Sequence, residues 1–427
     1  MRYASRLLAA AAALVAAPVA AERIALTNAR VIDGTGAPPQ EQRTVIVENG
    51  RIAAIRPAAR AKLPPNARVI DLSGLTLLPG LIDAHVHVND AKDREGQLRA
   101  VLHSGVTTLR DLAGDARITG DLARKAARGE IEAPAIHYPA VMFGPGFFED
   151  DRARKSAEGA VPGASPWSRV VTPGSDIKQI VSEARATGAT GLKLYASLTP
   201  ELVRELTSEA HRQGLLVWAH SVIFPAGVDH AVAAGADSII HAKGMISLGR
   251  SDVPGTFREG TETWVRNFDY SATDPASEPF QKLYAEMRRK GTILEPALMA
   301  DGERRPKPLP PWLAALRDWS CRATAAAHRA GVPLGAGTDG HVIAGELQSE
   351  LQRLVECGLA PMDAIRAATL NNARAIGIEK THGSIAVGKA ADLIAVGGDP
   401  AKDIAATRDV RLVMKAGRLV TGPVTRP

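Results

Sequence analysis

The chain has 427 residues, 45% of them hydrophobic and 23% charged, with a formal net charge of +6. This composition supports a large core and excludes global disorder, and no dense Lys/Arg run offers a nucleic-acid footprint. Aromatics make up only 4%, so Ala, Val, Leu and Gly carry the packing, as in parallel strands covered on both faces.

The N-terminus reads as a signal peptide. Arg2 and Arg6 form a positive segment, Leu7 to Val19 an Ala-dominated apolar run, and Val19, Ala20 and Ala21 offer small residues for cleavage. The run is short for a membrane span. No Cys follows it, which argues against a lipoprotein anchor; an uncleaved anchor is the alternative. Residues 1–21 are therefore assigned to the signal. The mature protein is expected to be periplasmic or secreted, without a stable membrane span. Cleavage removes two Arg and no acid, so the net charge falls from +6 to +4.

Residues 23–79 contain short β-like runs at Ile24–Asn28, Val45–Glu48, Arg51–Ile55 and Val69–Leu72. Glu48-Asn49-Gly50 marks a hairpin between two of them. The C-terminal stretch has the same texture, at Asp392–Val396, Val410–Lys415 and Arg418–Val420. Residues 22–79 and 384–427 are accordingly expected to form one small β-sandwich domain from both termini.

Between them, over residues 80–383, the pattern alternates. Apolar strand-like runs recur at Leu75–Val88, Val106–Leu112, Ala135–Phe143, Gly191–Ala196, Leu215–His220, Ser238–Ala242, Thr292–Met299 and Val332–Asp339. Helical stretches such as Thr199–Gln213 and Leu313–Ala330 lie between most of them. Eight such units predict an α/β fold, a (β/α)8 TIM-like barrel. A doubly wound open sheet is the alternative, but no G-x-G-x-x-G follows the first strand. Two connections are long, from Gly144 to about Asp176 and from Lys243 to about Lys290. Both leave the C-terminal ends of strands, where barrel active sites are built. Gly144-Pro145-Gly146-Phe147-Phe148 and Pro166-Trp167 put apolar surface into the first, as a substrate wall or as a surface insert. Cys321 and Cys357, the only cysteines, lie in helix-like segments without metal-motif spacing. They read as structural, and their pairing does not follow from sequence.

Chemistry-bearing residues fall at the strand ends. His85 and His87 are two apart on one strand, so both rings face the same side and can chelate one ion. His220 ends Leu-Val-Trp-Ala-His, His241 lies in Ser-Ile-Ile-His-Ala, and Asp339 ends Leu-Gly-Ala-Gly-Thr-Asp. A lone buried His is more often a hydrogen-bonded core residue, and a strand-end Asp can simply cap a helix. Lys193, inside Gly-Leu-Lys-Leu-Tyr-Ala, is the rarer feature. A buried ammonium must find a partner, lose its proton or be modified. In a barrel all six point to the same mouth, which predicts a metal site. Tyr195 faces the same side as Lys193 and can reach substrate, or else packs in the mouth. Arg110 and His137 can bind an anion, although Arg110 can equally pair with Asp111 or another neighbour. His341, close behind Asp339, can touch substrate. His103, His211 and His328 read as surface or packing residues, and His230 as part of a helix after His220.

The chain resembles the amidohydrolase superfamily and, within it, the imidazolonepropionase-like and Xaa-Pro dipeptidase-like branch. The resemblance rests on Leu78-Pro79-Gly80-Leu81-Ile82-Asp83-Ala84-His85-Val86-His87, Gly105-Val106-Thr107-Thr108-Leu109-Arg110-Asp111, Gly191-Leu192-Lys193-Leu194-Tyr195-Ala196, Ala219-His220, Gly337-Thr338-Asp339 and the segment from Gly383 to Ile394. It covers nearly the whole mature chain. It implies two divalent metal ions, zinc in most relatives. His85, His87 and Asp339 would hold one, His220 and His241 the other. Lys193, carboxylated by CO2, would bridge both. It also implies a shared hydroxide attacking a carbonyl, with Asp339 moving the proton to the leaving amine. The expected substrates are small peptide-like amides, namely dipeptides or N-acyl amino acids. Lactones, cyclic amides and carbamates stay open as alternatives, and a non-catalytic periplasmic binding protein is the rival outside enzymes. Homo-oligomer formation is left open.

Overall fold

The computed structural model describes residues 23–149, 154, 157, 159–250 and 268–422. The signal-peptide expectation lies outside the described residues, as does much of the second long connection.

The strands of the two ends join in one eight-stranded sheet. β1 (Arg23–Val31), β2 (Gln40–Glu48), β3 (Arg51–Pro57), β4 (Arg68–Asp71) and β5 (Leu75–Pro79) come from the N-terminal part. β16 (Leu393–Gly397), β17 (Val410–Lys415) and β18 (Arg418–Thr421) come from the C-terminal part. The order is β18-β17-β16-β5-β1-β2-β3, with β4 beside β1. β1 pairs β4 over Ile24–Thr27 and β5 over Arg30–Val31. Ile24, Leu26, Val45, Ile70, Leu77, Leu393 and Met414 share one buried core within it.

The middle of the chain is a closed (β/α)8 barrel. β6 (Leu81–Val86) pairs β7 (Val106–Asp111), which pairs β8 (Ala135–His137). β9 (Pro139–Phe143) continues the third barrel strand and pairs β12 (Gly191–Leu194), with the short hairpin β10 (Ala164–Ser165) and β11 (Ser168–Val170) on its other side. β13 (Leu216–His220), β14 (Ser238–Ile240) and β15 (Ile293–Glu295) follow in order, all parallel. The eighth position is an irregular segment. It joins β15 at Leu294↔Leu334 and β6 at Val86↔Gly340, both parallel, and so closes the ring. Every residue of β6, β7, β12 and β14 is buried. This is why these strands read as continuous apolar runs rather than alternating ones.

Helices Arg94–His103, Ala116–Arg128, Ile177–Ala186, Pro200–Arg212, Val228–Ala234, Glu278–Lys290, Pro311–Arg329 and Glu346–Glu356 follow the eight strands in turn. Side chains of Asp93, Asp115, Asp176 and Thr199 accept N–H groups at the starts of four of them, as capping residues do. Cys321 and Cys357 form a disulfide that links the helix after strand seven to the end of the helix after strand eight. No helix among the described residues is long and apolar enough to cross a membrane.

The apolar run expected at Leu75–Val88 is two strands. It breaks at Gly80, where a Cβ would sit 2.2 Å from the Thr107 hydroxyl. The Gly80 N–H is held by the Asp392 carbonyl at 2.8 Å, so the chain leaves the terminal sheet and enters the barrel in one step.

The seam between strands eight and one depends on Asn372. Its amide accepts the Ala336 N–H at 3.0 Å and donates to the Ala336 and Ile82 carbonyls at 2.7 and 2.6 Å. Asn372→Ala leaves the buried Ala336 N–H without its acceptor and removes a donor from the Ile82 and Ala336 carbonyls, of which the latter keeps the Ala84 N–H at 3.1 Å. We expect a loss of about 2–4 kcal/mol of stability, since each unsatisfied group costs about 1–3 kcal/mol. Denaturant midpoints read this directly. A loss below about 1 kcal/mol would show that the seam holds without it.

Candidate metal centre

The C-terminal ends of the barrel strands bring a dense group of ionisable side chains to one mouth. His85 and His87 come from strand one, Lys193 from four, His220 from five, His241 from the end of six and Asp339 from eight. His85, His220, His241 and Lys193 are all buried. Imidazole rings form a continuous row: His87 to His85 at 5.3 Å between centroids, His85 to His241 at 5.2 Å and His241 to His220 at 4.7 Å. The row continues through Tyr195 at 4.9 Å, Phe147 at 4.8 Å and Phe143 at 5.1 Å.

Asp339 is the focus of the row. Its carboxylate lies 3.0 Å from His85 Nε2, 2.9 Å from His87 Nε2 and 3.6 Å from His241 Nε2. Burial alone would raise its pKa. The charges of His85 and His241, then the close contacts of His85 and His87, outweigh burial and hold the carboxyl well below the usual range. Two of these residues adopt left-handed backbone, His241 at φ 73° and Asp339 at φ 47°. Such conformations in residues other than glycine carry strain and cluster at functional sites. Arg304 helps hold the second. It donates to the Thr338 and Asp339 carbonyls at 2.9 and 3.4 Å, while Glu346 grips it at 2.8 and 2.7 Å.

The donor set fits divalent ions. His85 and Asp339 stand at hydrogen-bond distance, yet His85 Nε2 has no hydrogen bond in line, and neither has His241 Nδ1. His85 Nε2 and His241 Nε2 both face the Asp339 carboxylate, the arrangement of ligands around a common centre. Ligand atoms of His85, His241 and Asp339 all lie within 4.8 Å of one another. His220 Nδ1 lies 3.1 Å from the Val222 carbonyl. The Val222 N–H also reaches Nδ1, at 3.0 Å, so both contacts fix the ring; a metal on Nε2 would select the tautomer that donates from Nδ1 to the carbonyl. Lys193 Nζ sits 4.8 Å over the Tyr195 ring. Burial lowers its pKa to about 8, against the opposing charges of Asp339, Glu295 and Asp111.

Glu295 escaped the sequence reading. It ends strand seven and lies 2.9 Å from His85 Nδ1. An anion on that side favours the tautomer carrying its proton there, which turns Nε2 toward Asp339. The strand-end pattern that flagged Asp339 also fits Thr-Ile-Leu-Glu in strand seven, so the signal was in the sequence. Asp83 was missed as well. Its carboxylate takes the His85 and Thr338 N–H groups at 3.1 and 3.2 Å and the Thr338 hydroxyl at 3.0 Å, tying strand one to strand eight beneath the cluster. Gly337 admits the crowding: a Cβ there would lie 2.5 Å from His85 Cβ and 2.7 Å from Glu295 Oε1.

Two expected substrate residues lie elsewhere. Arg110 is fully buried, and its guanidinium pairs with Glu295 rather than with Asp111. It also donates to the Ala84 carbonyl at 2.6 Å and stacks 4.6 Å over Trp218. Successive strand residues face opposite sides, which separates Arg110 from Asp111. Fully buried and bonded to Glu295, Ala84 and Ser238, Arg110 serves the barrel interior rather than a substrate anion. His137 lies in the first half of the third strand. The charges acting on it are those of His382 and Lys415, which lead toward the terminal sheet, and of Arg110. Burial first, then those charges, lowers its pKa to about 4. It is half-buried in the first half of its strand, and so does not stand at the strand end where the cluster gathers.

Tyr195 stands beside the cluster, between His220 and Phe147. His341 is exposed. Of the proposed apolar wall, Phe147 packs into the aromatic row. Trp167 is buried under Arg117, 4.8 Å from its ring, and Phe148 is exposed. His211 and His328 pair with Asp237 and Asp363, and His103 with Glu132, away from the mouth. His230 Nδ1 accepts the Gly227 N–H at the start of its own helix.

The amidohydrolase family model matches residues 76–420. The ochratoxinase of Aspergillus niger is 26% identical over 398 residues, covering 82% of this chain and 77% of that protein. The adenine deaminase of Paracoccus denitrificans is 26% identical over 374 residues, covering 82% of this chain and 50% of that protein. The crystal structure of a Xaa-Pro dipeptidase with bound methionine in the active site superposes with a TM-score of 0.74 at 24% identity, over 94% of this chain and 100% of that one.

Proposed function

From the premise that this chain belongs to the amidohydrolase family and is a hydrolase of carbon–nitrogen bonds, we propose that it is an exported binuclear enzyme cleaving peptide-like small amides, of the dipeptide or N-acyl amino acid type. The observation that carries this reading is the convergence of four imidazoles, Asp339 and Lys193 at one barrel mouth. Export rests on the charged and apolar pattern of residues 2–21.

His85, His87 and Asp339 would hold one ion and His220 and His241 the other, with zinc suited to this nitrogen-rich set. Lys193, carboxylated at Nζ, would lie between them. Carboxylation replaces a buried ammonium with an anion and so relieves its cost of burial. When bound, two such ions supply acidity to a water and polarise a carbonyl. Asp339 then holds a proton at its free carboxylate oxygen and delivers it to the leaving nitrogen. Glu295 and Asp83 keep His85 and strand eight in place during that transfer. Phe147 and Tyr195 exclude water on the His220 side.

The reading is tested by metal analysis together with a substrate panel of dipeptides, N-acyl amino acids, lactones, cyclic amides and carbamates. The expected result is two metals per chain and the highest kcat/KM among the dipeptides or N-acyl amino acids. Fewer than two metals with no amide hydrolysis would overturn it. Preference for a lactone or carbamate would keep the site and change the bond.

A further inference from the structure

The cations around this mouth differ in what they have left to offer. Arg110 is spent on Glu295, the Ala84 carbonyl and Ser238. Arg304 is spent on Glu346 and two carbonyls. Lys193 belongs to the cluster. Lys243 remains. It lies two residues past His241, in the turn Lys243–Ser247 at the end of strand six. Its side chain is 29% exposed, and its Nζ lies 3.3 Å from Asp301 Oδ1. Asp301 is only 1% exposed and sits behind it. One N–H of the ammonium faces that carboxylate, and two are left for other acceptors.

The position of this cation follows from the local fold. Gly244 has no room for a side chain, since a Cβ would lie 2.1 Å from the Ser221 hydroxyl. The turn is therefore pressed against the residue after His220, and Lys243 is held at the rim. It stands two residues past His241 at the end of strand six, on the cluster's side of the barrel, against Asp301. A buried carboxylate under a half-exposed ammonium fixes the head group without covering it. Such a fixed cation suits a carboxylate ligand, as charge-assisted hydrogen bonds are the stronger kind.

We propose that Lys243 is a specificity-determining residue that anchors a free carboxylate of the substrate, so that the enzyme selects anionic amides, the dipeptides and N-acyl amino acids with an open carboxyl end. Asp301 is its positioning partner. This rests on the function proposed above and narrows it. The scissile carbonyl lies at the cluster, the carboxylate is held on the strand-six side, and apolar groups lie along Tyr195 and Phe147.

The test uses the metal-loaded enzyme and two readouts. Calorimetry measures binding of L-phenylalanine, L-leucine and L-proline against the matching amino alcohols, which lack the carboxylate. Kinetics compare N-acyl amino acids with their carboxamides. In the wild type the carboxylate form is expected to win by on the order of tenfold to a hundredfold, the range for a hydrogen bond to a charged group. In Lys243→Met that ratio should fall toward one, and Lys243→Arg should keep part of it. A ratio near one in the wild type would overturn the proposal. So would a ratio left intact in Lys243→Met, including the case where both probes weaken together, which marks a structural role. If no amide is hydrolysed but the calorimetric ratio behaves as stated, the amide reading falls while the anchor stands.

Discussion

Lys193→Ala is expected to lower metal content from two ions per chain to one or fewer and kcat/KM by roughly 10³-fold or more, since ions of this kind contribute several kcal/mol to the transition state. Lys193 lies among the acidic groups Asp339, Glu295 and Asp111. As an ammonium it would repel divalent ions held by its neighbours. As a carboxylate it would join them. Removing bicarbonate during metal reconstitution of the wild type should therefore reduce loading, and a small added carboxylic acid should restore part of the metal binding of Lys193→Ala. Full metal content and activity in Lys193→Ala would sink the bridging role. Loss of metal without rescue would leave the lysine essential and weaken its modification as the reason.

Asp339→Asn should be the second severe change. The substitution keeps size and one oxygen but removes the charge on which His85, His87 and His241 converge. It also removes a group able to hold a proton. A proton-transfer group of this kind contributes roughly 10²- to 10⁴-fold, and kcat is expected to fall by that amount with a smaller change in KM. Metal analysis of the same variant separates the two roles. Two ions retained with a collapsed kcat identifies proton transfer. One ion lost identifies coordination as the larger part. Near wild-type kcat would mean that the proton moves through another residue.

Local patterns in the sequence reach as far as single elements. The fully apolar runs of the parallel strands stand out because both of their faces are covered. Residues at the ends of those runs could be matched to one mouth because every barrel strand runs the same way. His85, His87, His220, His241, Asp339 and Lys193 were found by that rule. Applied to strand seven, it would also have found Glu295. Arg110 shows where the rule misleads. It too lies near a strand end, but the barrel interior offers it Glu295 and Trp218, and an inward-facing guanidinium with partners is a structural group rather than a ligand.

Periodicity and strand-end chemistry in the sequence determined the barrel, the strands at both ends and the chemical character of the mouth, because these depend on side chains read one strand at a time. The tertiary structure alone decided which polar groups meet. Glu295 turns the His85 ring across the barrel, Asn372 closes the seam and Arg304 holds the strained Asp339. The Cys321–Cys357 pairing belongs here too. Such contacts join residues tens to hundreds of positions apart, and their distances are set by barrel closure. No local pattern carries that closure, so Lys243 stays an ordinary lysine in the sequence and becomes a half-buried cation beside the candidate metal centre only in the fold.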